Sequence, residues 1–199
     1  MATISTLTLE VEDVHASEVF TKALGVEDVV TLVEGNSTTS GFRGYTISLV
    51  CSQPANVDAF LEAALAAGGT ALKPAAKSFW GYGGVVQAPD GAIWKVAASS
   101  KKNTAPAARV YDDLVLLLGV ADVKATKQFY LDAGLVVAKS YGSKYVEMES
   151  AGSPVKLALY GRKALAKDAG VPVEGSGSHR ITIGADLGTF TDPDGFGWA

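Results

Sequence analysis

Few residues in this chain carry side chains suited to chemistry, and their spacing does not favour catalysis. There are two histidines, His15 and His179, and one cysteine, Cys51. A nucleophilic site needs its nucleophile held against a base that a third group orients, and this inventory offers little material for one. Cys51 closes the apolar run that starts at Tyr45 and reads as an inert core thiol. A single cysteine forms neither an intrachain disulfide nor a CxxC zinc site. His15 falls in the first turn of an expected helix and reads as a surface residue, and His179 reads as an exposed or hydrogen-bonded one. Glu147 and Glu149 share one face of an expected strand, as paired carboxylates would, but no histidine stands near them. Solvated strand charges are the better reading. The glycines of Phe79-Trp-Gly-Tyr-Gly-Gly84 lack the GK[ST] or strand–GxGxxG–helix context of a phosphate-binding loop. They suit either a bulge or a close backbone approach to a ligand. Glu10 and Lys95 remain as candidates for proton transfer, provided burial perturbs them.

The elements that must position these residues emerge from internal repetition. Leu9, Val11, Asp13, Val14, Phe20 and Gly25 recur 109 positions later as Leu118, Val120, Asp122, Val123, Phe129 and Gly134. Ala88-Pro-Asp-Gly-Ala-Ile-Trp94 likewise recurs as Asp192-Pro-Asp-Gly-Phe-Gly-Trp198, shifted by 104. Residues 3–12 alternate apolar and polar as a strand does, Asp13 can cap the following helix, and Gly25 can end it. Residues 29–33, 45–50, 135–139 and 155–160 read as further strands, and 57–67 as an alanine-rich helix. Each Pro-Asp-Gly is a hairpin turn. The expected fold is therefore mixed α+β in two tandem repeats, residues 1–99 and 110–199, with the polar, proline-bearing 100–109 as linker.

Composition limits the function classes. With 48% hydrophobic and 19% charged residues, the chain of 199 is not of the disordered type. It has no run of ~18 apolar residues, hence no membrane-spanning helix. A net charge of −4 gives no electrostatic footprint for nucleic acid. The N-terminal Met1-Ala-Thr-Ile4 lacks the basic and apolar regions of a signal peptide, so a cytoplasmic location is expected.

The strand-Asp-helix-Gly start, the Phe79–Gly84 segment, the PDG-x-x-W turn and the Leu159–Gly170 run together resemble the vicinal oxygen chelate superfamily, in its glyoxalase-like branch. That superfamily includes glyoxalase I, bleomycin-resistance proteins and extradiol dioxygenases. The resemblance implies βαβββ modules whose curved mixed sheets form a cup around a small molecule, with helices on the outer face. In catalytic members the cup holds a divalent metal. The family's strand histidine maps here to Thr6 and Val115, its final glutamate to Lys95 and Ala199, and its further histidine to Thr46 and Arg180. The glutamate that can close the set maps near Leu157. Hydroxyl, alkyl, ammonium and guanidinium groups do not replace imidazole and carboxylate around such an ion. No metal and no other cofactor is expected.

A cup without a metal still binds. In the family register the first strand of repeat 1 offers Thr6, Thr8, Glu10 and Glu12 to the cup, whereas that of repeat 2 offers Val115, Leu117, Gly119 and Ala121. One wall is polar and the other apolar. Phe79, Trp80, Tyr82 and Trp94 cluster near the turns of repeat 1, and Tyr141, Tyr145, Tyr160, Phe190 and Trp198 near those of repeat 2, as pocket walls or as core. The expected site combines Trp80 and Tyr82 near Lys95 with Thr6 or Glu10 on a facing strand. The expected function is metal-free sequestration of a small organic molecule, an antibiotic or a metabolite. The alternative is a lyase or dioxygenase with displaced metal ligands or metal-free acid–base catalysis. Partners reduce to that ligand and, at most, a second copy of the chain as a homodimer.

Overall fold

The computed structural model describes residues 2–199, and its helices and strands group into short modules. The first opens with β1 (Ile4–Val11), α1 (Val14–Leu24), β2 (Val30–Glu34) and the short β3 (Thr39–Gly41). The second is a full βαβββ unit: β4 (Tyr45–Cys51), α2 (Pro54–Ala66), β5 (Thr70–Ser78), β6 (Gly81–Gln87) and β7 (Ile93–Ala98). The third is another: β8 (Asp113–Val120), α3 (Val123–Asp132), β9 (Val137–Ser140), β10 (Tyr145–Met148) and β11 (Val155–Gly161). The chain continues through α4 (Arg162–Ala169), β12 (Gly175–Gly177), β13 (Ile181–Ala185), β14 (Phe190–Thr191) and β15 (Gly197–Trp198).

The two full modules join edge to edge in an eight-stranded sheet of order β5-β6-β7-β4-β8-β11-β10-β9, with β4 and β8 antiparallel at its centre. The two abbreviated modules share a five-stranded sheet, β14-β15-β13-β1-β2. Both sheets thus draw strands from either side of residues 99–112, a segment without helix or strand. That segment is anchored by Gln53, whose side-chain amide donates to the carbonyls of Ala105 and Pro106 while its carbonyl oxygen accepts from the N–H groups of Thr104 and Ala105.

Local chemistry explains the boundaries. Asp13 accepts the N–H of Ala16 at 2.9 Å and Asp122 that of Lys124 at 2.9 Å, so both repeated aspartates cap helices. Gly25 ends α1 at φ 64°, a conformation that disfavours a side chain. Helix α2 starts at Pro54, three residues before the sequence expectation, because proline tolerates the first turn. Pro89-Asp-Gly91 joins β6 to β7 and Pro193-Asp-Gly195 joins β14 to β15, each as an antiparallel hairpin.

The main core lies between the sheets. Leu7, Leu9 and Val11 from β1 meet Ile47 and Leu49 from β4, Leu116 and Leu118 from β8, and side chains of α1, α2 and α3. Alternation then sends Thr46, Ser48, Val115 and Leu117 to the opposite, inner face of the long sheet. Helices α1, α2 and α3 pack on the core side, which is the outer face of the long sheet relative to the cup, as expected. Helix α4 does not: its Leu165, Ala166 and Ala169 pack with Phe42, Val85, Ile93, Leu117 and Tyr160 on that inner face. Helix α4 is not among the elements expected above, although its left-handed Gly170 stop is an ordinary signal.

Candidate functional site

On the inner face of the long sheet, direct cross-strand pairing fixes a row: Val115 opposite Ser48, Ser48 opposite Lys95, and Lys95 opposite Val85. Two positions of the family's metal register, Val115 and Lys95, are therefore brought to either side of Ser48. Leu157 is not among them. It is fully buried in the core between the sheets, and its neighbours Lys156 and Ala158 face the cup instead. Thr6 belongs to the other sheet, where it pairs with Gly184, and Arg180 and Ala199 directly flank that sheet's β13 and β15. Neither set contains a histidine or a carboxylate, and no group of three or more His, Cys, Asp or Glu converges anywhere among the described residues. The donors do not fit a divalent ion.

The Lys95 ammonium is engaged by α4. It meets the Asp168 carboxylate at 2.6 Å, with the two side chains 31% and 40% exposed. Lys73, on β5, donates to the carbonyls of Lys167 at 2.8 Å and Asp168 at 2.6 Å. Two strand lysines thus grip the C-terminal end of a helix, the end whose unpaired carbonyls attract cations. No sequence spacing relates Lys73 and Lys95 to Asp168. Only the fold of α4 into the cup brings them together.

Beside this grip opens a cleft of about 250 Å³, lined by Lys73, Lys95, Asp168, the Gly81–Val85 stretch and Trp80. Trp80, at the β5–β6 hairpin tip, is 84% exposed and meets Phe79 edge-on with centroids 4.9 Å apart. Tyr82 borders the cleft only in part. It pairs with Ala98 on the face opposite Lys95, and its hydroxyl donates to Asp58 of α2 at 2.6 Å, which pushes its pKa up. Thr6 and Glu10 do not face the cleft, because β1 lies in the five-stranded sheet. Glu10 instead accepts the backbone N–H of Ser37 at 2.5 Å and its hydroxyl at 2.9 Å, bonds that hold its carboxyl below the usual range.

The glycine cluster is structural. Gly81 sits at φ 142°, and a Cβ there would fall 2.0 Å from the Ala98 carbonyl oxygen. A Cβ on Gly83 would stand 2.8 Å from that of Val96, so close strand approach accounts for both. Cys51 is buried and its thiol pushed up to about 12 by desolvation, which keeps it unreactive. His179 lies with Nδ1 2.5 Å from the Arg43 carbonyl and Nε2 3.0 Å from that of Asp194, stacked on Phe196. Trp94 and Trp198 are buried core residues.

Two modules of βαβββ type in one curved sheet, with a second sheet built from abbreviated copies, constitute the vicinal oxygen chelate fold. Glyoxalase I from Zea mays shares it at a TM-score of 0.63 over 100% of this chain and 91% of that one, at 14% identity. A candidate dioxygenase from Bacillus subtilis aligns at 0.55 over 92% of this chain and 69% of its own, at 13% identity. No family model matches the sequence, and no curated protein matches it. Among the described residues no helix is long and apolar enough to cross a membrane.

Proposed function

We propose that the chain is a metal-free binding protein on a vicinal oxygen chelate fold, which captures a planar organic anion between the Phe79–Trp80 tip and the gripped end of α4. The observation that carries this reading is the meeting, in one cleft, of the exposed Trp80, backed edge-on by Phe79, with two lysines whose counter-groups all belong to one short helix. An aromatic face gives a planar ligand its apolar contact. A carboxylate or carbonyl then competes with Asp168 for Lys95, because a partly desolvated cation seeks an acceptor. The catalytic alternative finds less support, since no histidine borders the cleft and its metal register lacks donors.

Fluorescence tests this directly. Trp94 and Trp198 are buried, so Trp80 dominates any environment-sensitive change in emission. Titration with a panel of aromatic carboxylates should shift that emission to the blue, and Trp80→Phe should abolish the shift. Chelator treatment should leave the titration unchanged. A tightly held stoichiometric metal, or turnover lost with the metal and restored by it, would move the protein to the enzymatic reading.

A further inference from the structure

The repeated helix starts and Pro-Asp-Gly turns meet in two joints, and the joints differ. In the second, Asp194 accepts the Ala121 N–H through Oδ1 and the Thr126 hydroxyl through Oδ2, both at 2.7 Å. The corresponding residues of the first joint are Glu12, Ser17 and Asp90. There the contact is open. Asp90 Oδ2 and Ser17 Oγ are each buried without a hydrogen-bond partner among the described residues, as are Thr39 Oγ1 and Arg43 Nη1. Arg43 does hold the Asp90 backbone carbonyl through Nη2, but its Nη1 stops 3.7 Å from Asp90 Oδ2. The Arg43 and Asp90 side chains are only 10% and 5% exposed. All four unmet atoms belong to residues lining one cavity of about 410 Å³, at whose rim Arg180 pairs with Glu12 at 2.9 Å.

Buried polar atoms without partners are rare in folded proteins, and four around one cavity call for an occupant that supplies donors and acceptors. The charges already balance in pairs, Arg43 with Asp90 and Arg180 with Glu12, while Asp13 caps α1. A charged ligand would upset that balance in a desolvated place, whereas a neutral one does not. Two adjacent hydroxyls satisfy the 3.7 Å gap, one accepting from Arg43 Nη1 and its neighbour donating to Asp90 Oδ2. Further hydroxyls meet Ser17 and Thr39. We infer that this cavity binds a neutral polyhydroxylated molecule of about monosaccharide size, independently of the Trp80 cleft, with which it shares no lining residue.

The test is saturation-transfer NMR followed by calorimetry, with D-glucose, D-ribose and myo-inositol as probes and with glycine and inorganic phosphate as charged controls. At least one polyol should bind at one site per chain. Ser17→Ala and Asp90→Asn should each weaken it about tenfold or more, the usual effect of deleting a hydrogen bond in a desolvated site. Ser17→Ala removes a hydroxyl that has no protein partner, so its melting temperature should not fall, and Trp80→Phe should leave polyol binding intact. Absence of binding across the three polyols would leave water as the occupant and overturn the assignment. So would polyol binding that survives both substitutions, or displacement by phosphate or glycine.

Discussion

Replacing Lys73 and Lys95 together by Met should loosen α4 without dissolving the sheets. The Lys95–Asp168 pair is roughly a third exposed on each side, so solvent screening limits it to about 0.2–1 kcal/mol. The Lys73 ammonium at the helix C-terminus adds about 0.3–1 kcal/mol through the helix dipole. Their joint loss is therefore about 0.5–2 kcal/mol. The apolar seat weighs more: Leu165 is fully buried, and Leu165→Ala should cost about 2–5 kcal/mol, depending on how far the cavity collapses. An eight-residue helix has negligible stability alone, so docking is what keeps α4 helical.

Native-state hydrogen exchange reads these effects separately. Amides of α4 should exchange roughly 2- to 30-fold faster in the double lysine variant, while amides of β4 and β8 change little. Retained protection in α4 with loss in the central strands would refute this role for the lysines. So would a double lysine variant as destabilised in urea as Leu165→Ala, because the lysines would then carry the seat that the packing assigns to Leu165.

Three further outcomes follow from polar groups whose surroundings the structure defines. Tyr130 and Asp192 are both buried, and the hydroxyl donates to Asp192 Oδ2 at 2.5 Å; Tyr130→Phe leaves that oxygen unpaired and should cost about 1–3 kcal/mol in urea unfolding, an unchanged midpoint being the refuting result. Burial raises the Asp90 pKa above its ordinary 3.8, so its contribution is present below that value and lost as pH rises; Asp90→Asn should flatten that fall in melting curves taken from acid to neutral pH, and an unchanged slope would contradict this. Glu10 is the opposite case, its pKa lowered by Ser37, so its contribution is present above the ordinary 4.5 and lost as pH falls through the lowered value. Glu10→Gln should flatten that acid limb in melting curves taken from pH 6 to 3, and identical limbs would remove Ser37 as the cause.

Much of the fold was legible because repetition compensates for weak local signals. Asp13 and Asp122, or the two Pro-Asp-Gly turns, would each be an ordinary cap or turn alone; in the same order twice, they specify modules. The sequence also shows where the copies are incomplete, in the short connection after β2 and the nearly direct one from β13 to β14. It does not show that the abbreviated modules pair with each other across the whole chain length. Strand order depends on non-local pairing, and nothing in the spacing of β1 and β13 announces their antiparallel register.

The site was legible only through a contrast whose cause lay elsewhere. Thr6, Thr8 and Glu10 on β1 are polar where Val115, Leu117 and Gly119 on β8 are apolar. Taken as two walls around one ligand, they suggest an amphipathic pocket. The structure places them in different sheets: the β1 face is half-buried, with Thr8 between Thr31 and Thr182, whereas α4 packs on the β8 face. The apolar wall did signal an occupant, and Leu165 packing on that face is that occupant. Gly119 makes the same point in miniature, since a Cβ there would stand 2.9 Å from the Gly44 carbonyl oxygen and 3.1 Å from Leu165 Cδ2. On the function proposed above, a cup filled by the chain's own helix binds at that helix's margin, where Trp80, Lys95 and Asp168 line one cleft.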